Sequence, residues 1–114
     1  MNENRVEHTF TLPEGVAKIT DVKTLTLVEL SADEEMMATN RARGDQIRVA
    51  WELPKEALRA VNGTRCGTGD GTVDKIWVAM HPKARNFVMQ AYNHLHNPQM
   101  AEVKDFLASI ESKA

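Results

Sequence analysis

Apolar and polar positions alternate from residue 6 onward. Val6, His8, Phe10 and Leu12 are separated by Glu7, Thr9 and Thr11, the period of two expected of a half-buried strand. Pro13, Glu14 and Gly15 follow with turn chemistry. Residues 18–29 are rich in Thr, Val and Ile, with apolar positions at Val22, Leu25, Leu27 and Leu30. This predicts one or two further strands pairing antiparallel with the first. Residues 1–5 are polar and are expected to fray.

The pattern turns helical at Ser31. A serine with Glu34 three residues later is a capping box, in which each side chain satisfies an orphan backbone N–H of the other. Met36, Met37, Asn40, Ile47, Ala50 and Trp51 fall near one face of a helix over about 32–53. Gly44 inside that span marks a candidate break. Pro54 is expected to end or redirect the helix, because it lacks the N–H and crowds the preceding turn. Ala57, Leu58 and Val61 then continue as a short helix or form one arm of a hairpin, for which Asn62-Gly63 is a favourable turn and Thr64 to Cys66 the returning arm. Beyond it, residues 67–71 read as a flexible, exposed tip.

Three amphipathic helices close the chain. Val73, Ile76, Trp77 and Met80 repeat at helical spacing, as do Ala84, Phe87, Val88, Ala91 and Leu95 after Pro82, and Met100, Val103, Phe106, Leu107 and Ile110 after Pro98. Both prolines suit a first helical turn, and Asn97 is a candidate N-cap for the last helix. The predicted class is α+β and mostly helical: a small N-terminal antiparallel β element over 6–30, then four to five helices over 31–114, with a glycine-rich loop at 62–72.

Size and charge narrow the function. With 114 residues the chain has room for a single domain with one modest core. A net charge of -2, from 14 Lys plus Arg against 16 Asp plus Glu, argues against generic binding to nucleic acid phosphates. A lone cysteine, Cys66, cannot form an internal disulfide, and no basic run leads into an apolar stretch at the start, so a cytoplasmic protein is expected. No membrane span is expected either.

Candidate chemistry is sparse. The stretch 63–71 lacks the Gly-Lys-Ser/Thr ending of a phosphate loop, and Asp70 would repel an anion. His94 and His96 are two apart on a helix, so they diverge by about 200°, while His8, His81 and Cys66 have no ligand-like spacing; no metal and no cofactor is expected. Nucleophilic catalysis would need Cys66, which sits in a loop with no apparent base, or one of Ser31, Ser109 and Ser112, of which the first is better explained as a cap; Asp33, Glu34 and Glu35 suit a helix N-terminus. Catalysis is therefore not expected. Lys75, Lys83 and Arg85 could form a small basic patch or a solvated face. Two tryptophans and Met36, Met37, Met89 and Met100 either fill the core or form an adaptable surface for partner helices.

An ordered series of short motifs spans much of the chain: Phe10 to Pro13, Leu30 to Glu34, Val61 to Gly63, Pro82 to Arg85 followed by Ala91 and Tyr92, and Glu102 to Ser109. In this order and spacing the sequence resembles the tail assembly chaperones of long-tailed bacteriophages and prophages. The resemblance implies a non-enzymatic protein of the host cytoplasm that binds the tape measure protein, keeps it soluble and helps recruit the major tail tube protein. Its members often have a longer, frameshifted product. The resemblance also implies a homo-oligomer, since a long ligand needs several copies. The family has no universal binding-residue signature; Trp77, Met80, Phe87, Met89 and Tyr92, on the helices flanking Pro82, are the residues expected here to form or border the partner surface. Two other readings stand beside it: a virion structural protein such as a tail-completion or connector subunit, and a small nucleic-acid-binding regulator using Lys75, Lys83 and Arg85.

Overall fold

A computed structural model describes residues 5–66, 71–97 and 100–111. The first strand, β1 (His8–Thr11), alternates between half-buried and exposed positions as its period predicts. It leads into a short helix, α1 (Glu14–Thr20), rather than into a turn and another strand. Pro13 takes the N-cap position, where a fixed φ and missing N–H cost nothing. Asp21 closes α1 in the left-handed conformation at φ 61°, its N–H donating to the Ala17 carbonyl at 2.8 Å.

The chain returns as β2 (Thr24–Leu27), antiparallel to β1 in the register His8 to Leu27 and Thr11 to Thr24. Leu25, Leu27 and Val28 are fully buried. This loss of alternation follows from position: β2 is a central strand, flanked by β1 on one edge and by β3 (Leu58–Val61) on the other. A fourth strand, β4 (Thr64–Arg65), pairs with β3 across Asn62 and Gly63, which sit at φ 54° and 79° as a two-residue hairpin turn demands. Of the two options left open for 57–66, the hairpin is the one adopted. The sheet thus draws half its strands from beyond residue 30, and the β element is not confined to 6–30.

The helix expected over 32–53 is two helices, α2 (Ala32–Arg41) and α3 (Gln46–Ala57). Gly44, at φ 81° next to Arg43 at φ 53°, makes the break. The capping box forms, Ser31 Oγ accepting from Glu34 N–H while the Glu34 carboxylate accepts from Ser31 N–H. Asp45 caps α3 by accepting from the N–H groups of Ile47 and Arg48. Pro54 does not end α3. It lies in the last turn, where it deprives only the carbonyl of exposed Ala50, and the turn beyond it is pinned when Val28 N–H donates to the Ala57 carbonyl at 3.0 Å.

Then come α4 (Thr72–Ala79), α5 (Pro82–His96) and α6 (Met100–Glu111). Pro82 occupies the first turn of α5. Asn97 closes α5, its N–H donating to the Asn93 carbonyl at 2.9 Å, instead of opening α6. The readings for residues 1–4, for the tip at 67–70, for Pro98 and for Ser112 lie outside the described residues. Arg5, expected to fray, is held: its guanidinium donates to the Glu34 carboxylate and to the Glu29 carbonyl.

The class is α+β and mostly helical. Its core lies between the sheet and α5, with α3 and α4 closing one side: Leu12, Leu25, Leu27, Leu58, Trp77, Met80, Ala84 and Val88 meet there. Small Ala84, Val88 and Ala91 on α5 allow that helix to approach β2 closely. No helix among the described residues is long and apolar enough to cross a membrane.

Candidate partner-binding surface

The helix flanking Pro82 on its N-terminal side contributes core more than surface. Trp77 and Met80 are both buried among the core side chains. A side chain so placed can support a partner surface from below but cannot contact a partner while the fold is intact. The other three residues, on α5, are half-buried. Helical geometry sets Phe87 and Met89 about 200° apart around the axis, so they serve different faces.

Phe87 lines a groove between β1 and α5. Phe10, Leu12 and Leu25 from the sheet, and Phe87 and Ala91 from α5, form its apolar walls, with Thr11, Gln90 and His94 along the mouth and a volume of about 320 Å³. The Phe10 ring meets His94 edge to face at 6.1 Å, which fixes one wall. This groove runs beside β1, an outer strand of the sheet whose far edge carries no partner strand among the described residues. Alternation places Phe10 and Leu12 toward it, so the strand pattern carries its signal, and of the five residues expected at the partner surface Phe87 lines it.

Tyr92 does something else. Its ring stacks on His96 with centroids 4.0 Å apart. His96 Nε2 accepts from the Leu30 N–H at 2.8 Å while Nδ1 lies 2.9 Å from the Tyr92 carbonyl, so the neutral ring with a proton on Nδ1 ties the end of α5 to the start of α2. Burial pushes the Tyr92 hydroxyl above its ordinary pKa. His81 is likewise structural, its Nδ1 accepting from the Lys83 N–H as the N-cap of α5.

A second apolar feature lies on the outer face of α3. Ile47 and Trp51 are exposed there, with Arg48 and Lys55 beside them and the edge of Trp77 beneath. Arg85 is drawn into this feature. Its guanidinium lies over both indole rings and donates to the Trp77 and Val78 carbonyls, both at 2.8 Å, satisfying the end of α4. Arg85 therefore has two of its five N–H donors committed to the α4 carbonyls and its plane held against the indoles, and is poorly placed to serve a phosphate. Lys75 and Lys83 remain exposed.

Ion pairs stitch the elements around these surfaces. Glu52, buried, accepts from Arg41 at 3.0 Å and from Lys55 at 2.9 Å, and Lys55 also reaches Asp74 at 2.7 Å, joining α2, α3 and α4. Burial alone would raise the Glu52 pKa, but its two cationic partners outweigh that and hold it below the usual carboxylate range. Cys66 is buried, and burial raises its thiol above the ordinary value, the opposite of a reactive cysteine. Among the described residues no three His, Cys, Asp or Glu side chains gather as metal ligands would. No protein-family model, curated protein or solved structure matches this chain.

Proposed function

We propose that this chain is a tail assembly chaperone of a long-tailed bacteriophage or prophage, working in the host cytoplasm by presenting surface rather than by catalysis. The observation that supports the reading best is the groove between β1 and α5, with aromatic and aliphatic walls and a polar mouth. A tape measure protein before assembly is a long apolar helix, and a helix binds such a groove by inserting large side chains at i, i+3 and i+4. At about 320 Å³ the groove takes one or two such side chains. Several copies along the helix would cover it, and the covered complex would then recruit the major tail tube protein. Of the sequence-predicted residues Phe87 serves this groove, while Trp77 and Met80 belong to the core.

The test uses the groove mouth, where substitution spares the core. Gln90→Trp and Thr11→Trp should fill the groove while leaving the circular dichroism spectrum and melting temperature unchanged. Co-expressed with the tape measure protein of the same phage, the native chain is expected to keep it soluble and co-purify with it, and the double variant is expected to leave it in the pellet. Equal solubilisation by the double variant would remove the groove from the reading, and failure of the native chain would remove the chaperone reading itself.

A further inference from the structure

We propose that α6 docks on the outer face of α3 in a second copy of this chain, so that two chains exchange their C-terminal helices. The motive is a pair of uncovered apolar strips on one molecule. On α6, Val103, Phe106 and Leu107 fall at i, i+3 and i+4, with Phe106 63% and Leu107 49% exposed. On α3, Ile47, Ala50 and Trp51 repeat the same spacing, with Ile47 74% and Trp51 39% exposed. Strips of equal spacing interdigitate as ridges into grooves at an interaxial distance of about 8–10 Å.

Charge selects the pairing. The apolar strip of α6 is flanked by Glu102 on the Phe106 side and by Lys104 on the Leu107 side, while the α3 strip is rimmed by exposed Arg48, with Lys55 and the ion-paired Glu52 also lining it. Glu102, one turn before Phe106, lies on the flank of the apolar strip. Glu102 set against Arg48 is favourable, whereas α3 against α3 would face Arg48 with itself.

In its own chain α6 leaves the α3 strip bare. The radius of gyration is 16.0 Å and the longest dimension 52 Å, against roughly 13–14 Å expected for the radius of a compact chain of this length. One docked three-turn helix is a small contact, but reciprocal exchange about a two-fold axis makes two of them, moving the total toward the ~1,600 Å² of a stable interface and leaving neither strip uncovered. The proposal rests on the chaperone reading only in the expectation of several copies. It concerns the purified chain with no tape measure protein present, so the two fail separately.

Light scattering coupled to size exclusion, on the full chain at micromolar concentration, is expected to give a dimer. Phe106→Glu and Ile47→Glu each replace an exposed side chain, so their circular dichroism and melting curves serve as folding controls; each is expected to weaken dimerisation at least ~10-fold. A mixture of Glu102→Cys chains and Arg48→Cys chains, treated with a short bis-maleimide, is expected to yield a crosslinked pair joining the two positions. A monomeric native chain, a dimer indifferent to both Glu variants, or a mixture that crosslinks no better than either chain alone would each overturn the exchange.

Discussion

The indole rings of Trp51 and Trp77 meet edge to face, with centroids 6.1 Å apart and planes at 76°. Trp77 is buried in the core and Trp51 stands at the surface above it, so the pair carries the packing of α3 onto α4 from inside to outside. Trp77→Ala should cost about 3–5 kcal/mol, the range for deleting a buried aromatic side chain. Trp51→Ala should cost less, about 1–2 kcal/mol, because much of its surface is already hydrated. A double-mutant cycle by urea unfolding should return a coupling of about 0.5–1.5 kcal/mol. Strictly additive effects would show that the edge-to-face contact contributes nothing beyond burial.

Asn62 joins two turns that are far apart in sequence. Its side-chain oxygen accepts from the N–H groups of Lys23 at 2.6 Å and Thr24 at 3.2 Å, its amide donates to the Asp21 carbonyl at 3.0 Å, and its own N–H donates to the Thr24 carbonyl. It also holds φ 54°, which asparagine tolerates and alanine resists. Asn62→Ala should therefore lose about 2–3 kcal/mol of stability. Asn62→Gly should lose less, since it keeps the backbone conformation and forfeits only the side-chain bonds. Chemical unfolding of the two variants separates strain from hydrogen bonding, and equal losses would assign the whole effect to the bonds.

Local chemistry explains which elements could be read from the sequence. Ser31 with Glu34, Asn62 with Gly63, and Pro82 each act within four residues, so their capping box, hairpin turn and helix start could be read in place. The helix α1 could not, because its seven residues include Gly15 and the β-branched Val16, Ile19 and Thr20, and local propensity pointed to extended chain. Pro54 misled for the same reason: the bond that holds the turn beyond it comes from Val28, distant in sequence. The partner surface was less legible still. Periodicity says that Trp77 and Met80 face something apolar, without saying whether that is core or partner, and only the packing of α4 against α3 and α5 decides it.

Two glycines should respond to alanine with opposite signs. Gly44 sits at φ 81° between α2 and α3 with nothing within 4 Å of where a Cβ would be, so Gly44→Ala meets no clash and suffers only the left-handed backbone, at about 1 kcal/mol. Gly15 lies inside α1 at ordinary helical φ, also with open space around it. There Gly15→Ala should add about 0.5–1 kcal/mol by narrowing the unfolded ensemble and favouring helix. Paired melting curves read both, and a stabilised Gly44→Ala would mean that the connection can reorganise without a left-handed residue.

Glu34 anchors the acid response of the fold. Its carboxylate accepts from Arg5, caps α2 through Ser31 N–H, and faces the almost fully buried Arg59 at 3.4 Å. The Arg5 hydrogen bonds, with those at Ser31, hold its pKa down at about 2 against an ordinary 4.5, although burial pulls the other way. Because the folded value is depressed, the native state gains stability that is fully present above about pH 4.5 and is lost as pH falls toward 2. Discounted for the solvent that reaches this side chain, the contribution is about 1–2 kcal/mol. Glu34→Gln should lower stability at neutral pH by about that amount and flatten the decline between pH 4.5 and 2. Urea unfolding at a series of pH values gives both slopes. Parallel curves for native and variant would mean that Glu34 titrates alike in the folded and unfolded chains.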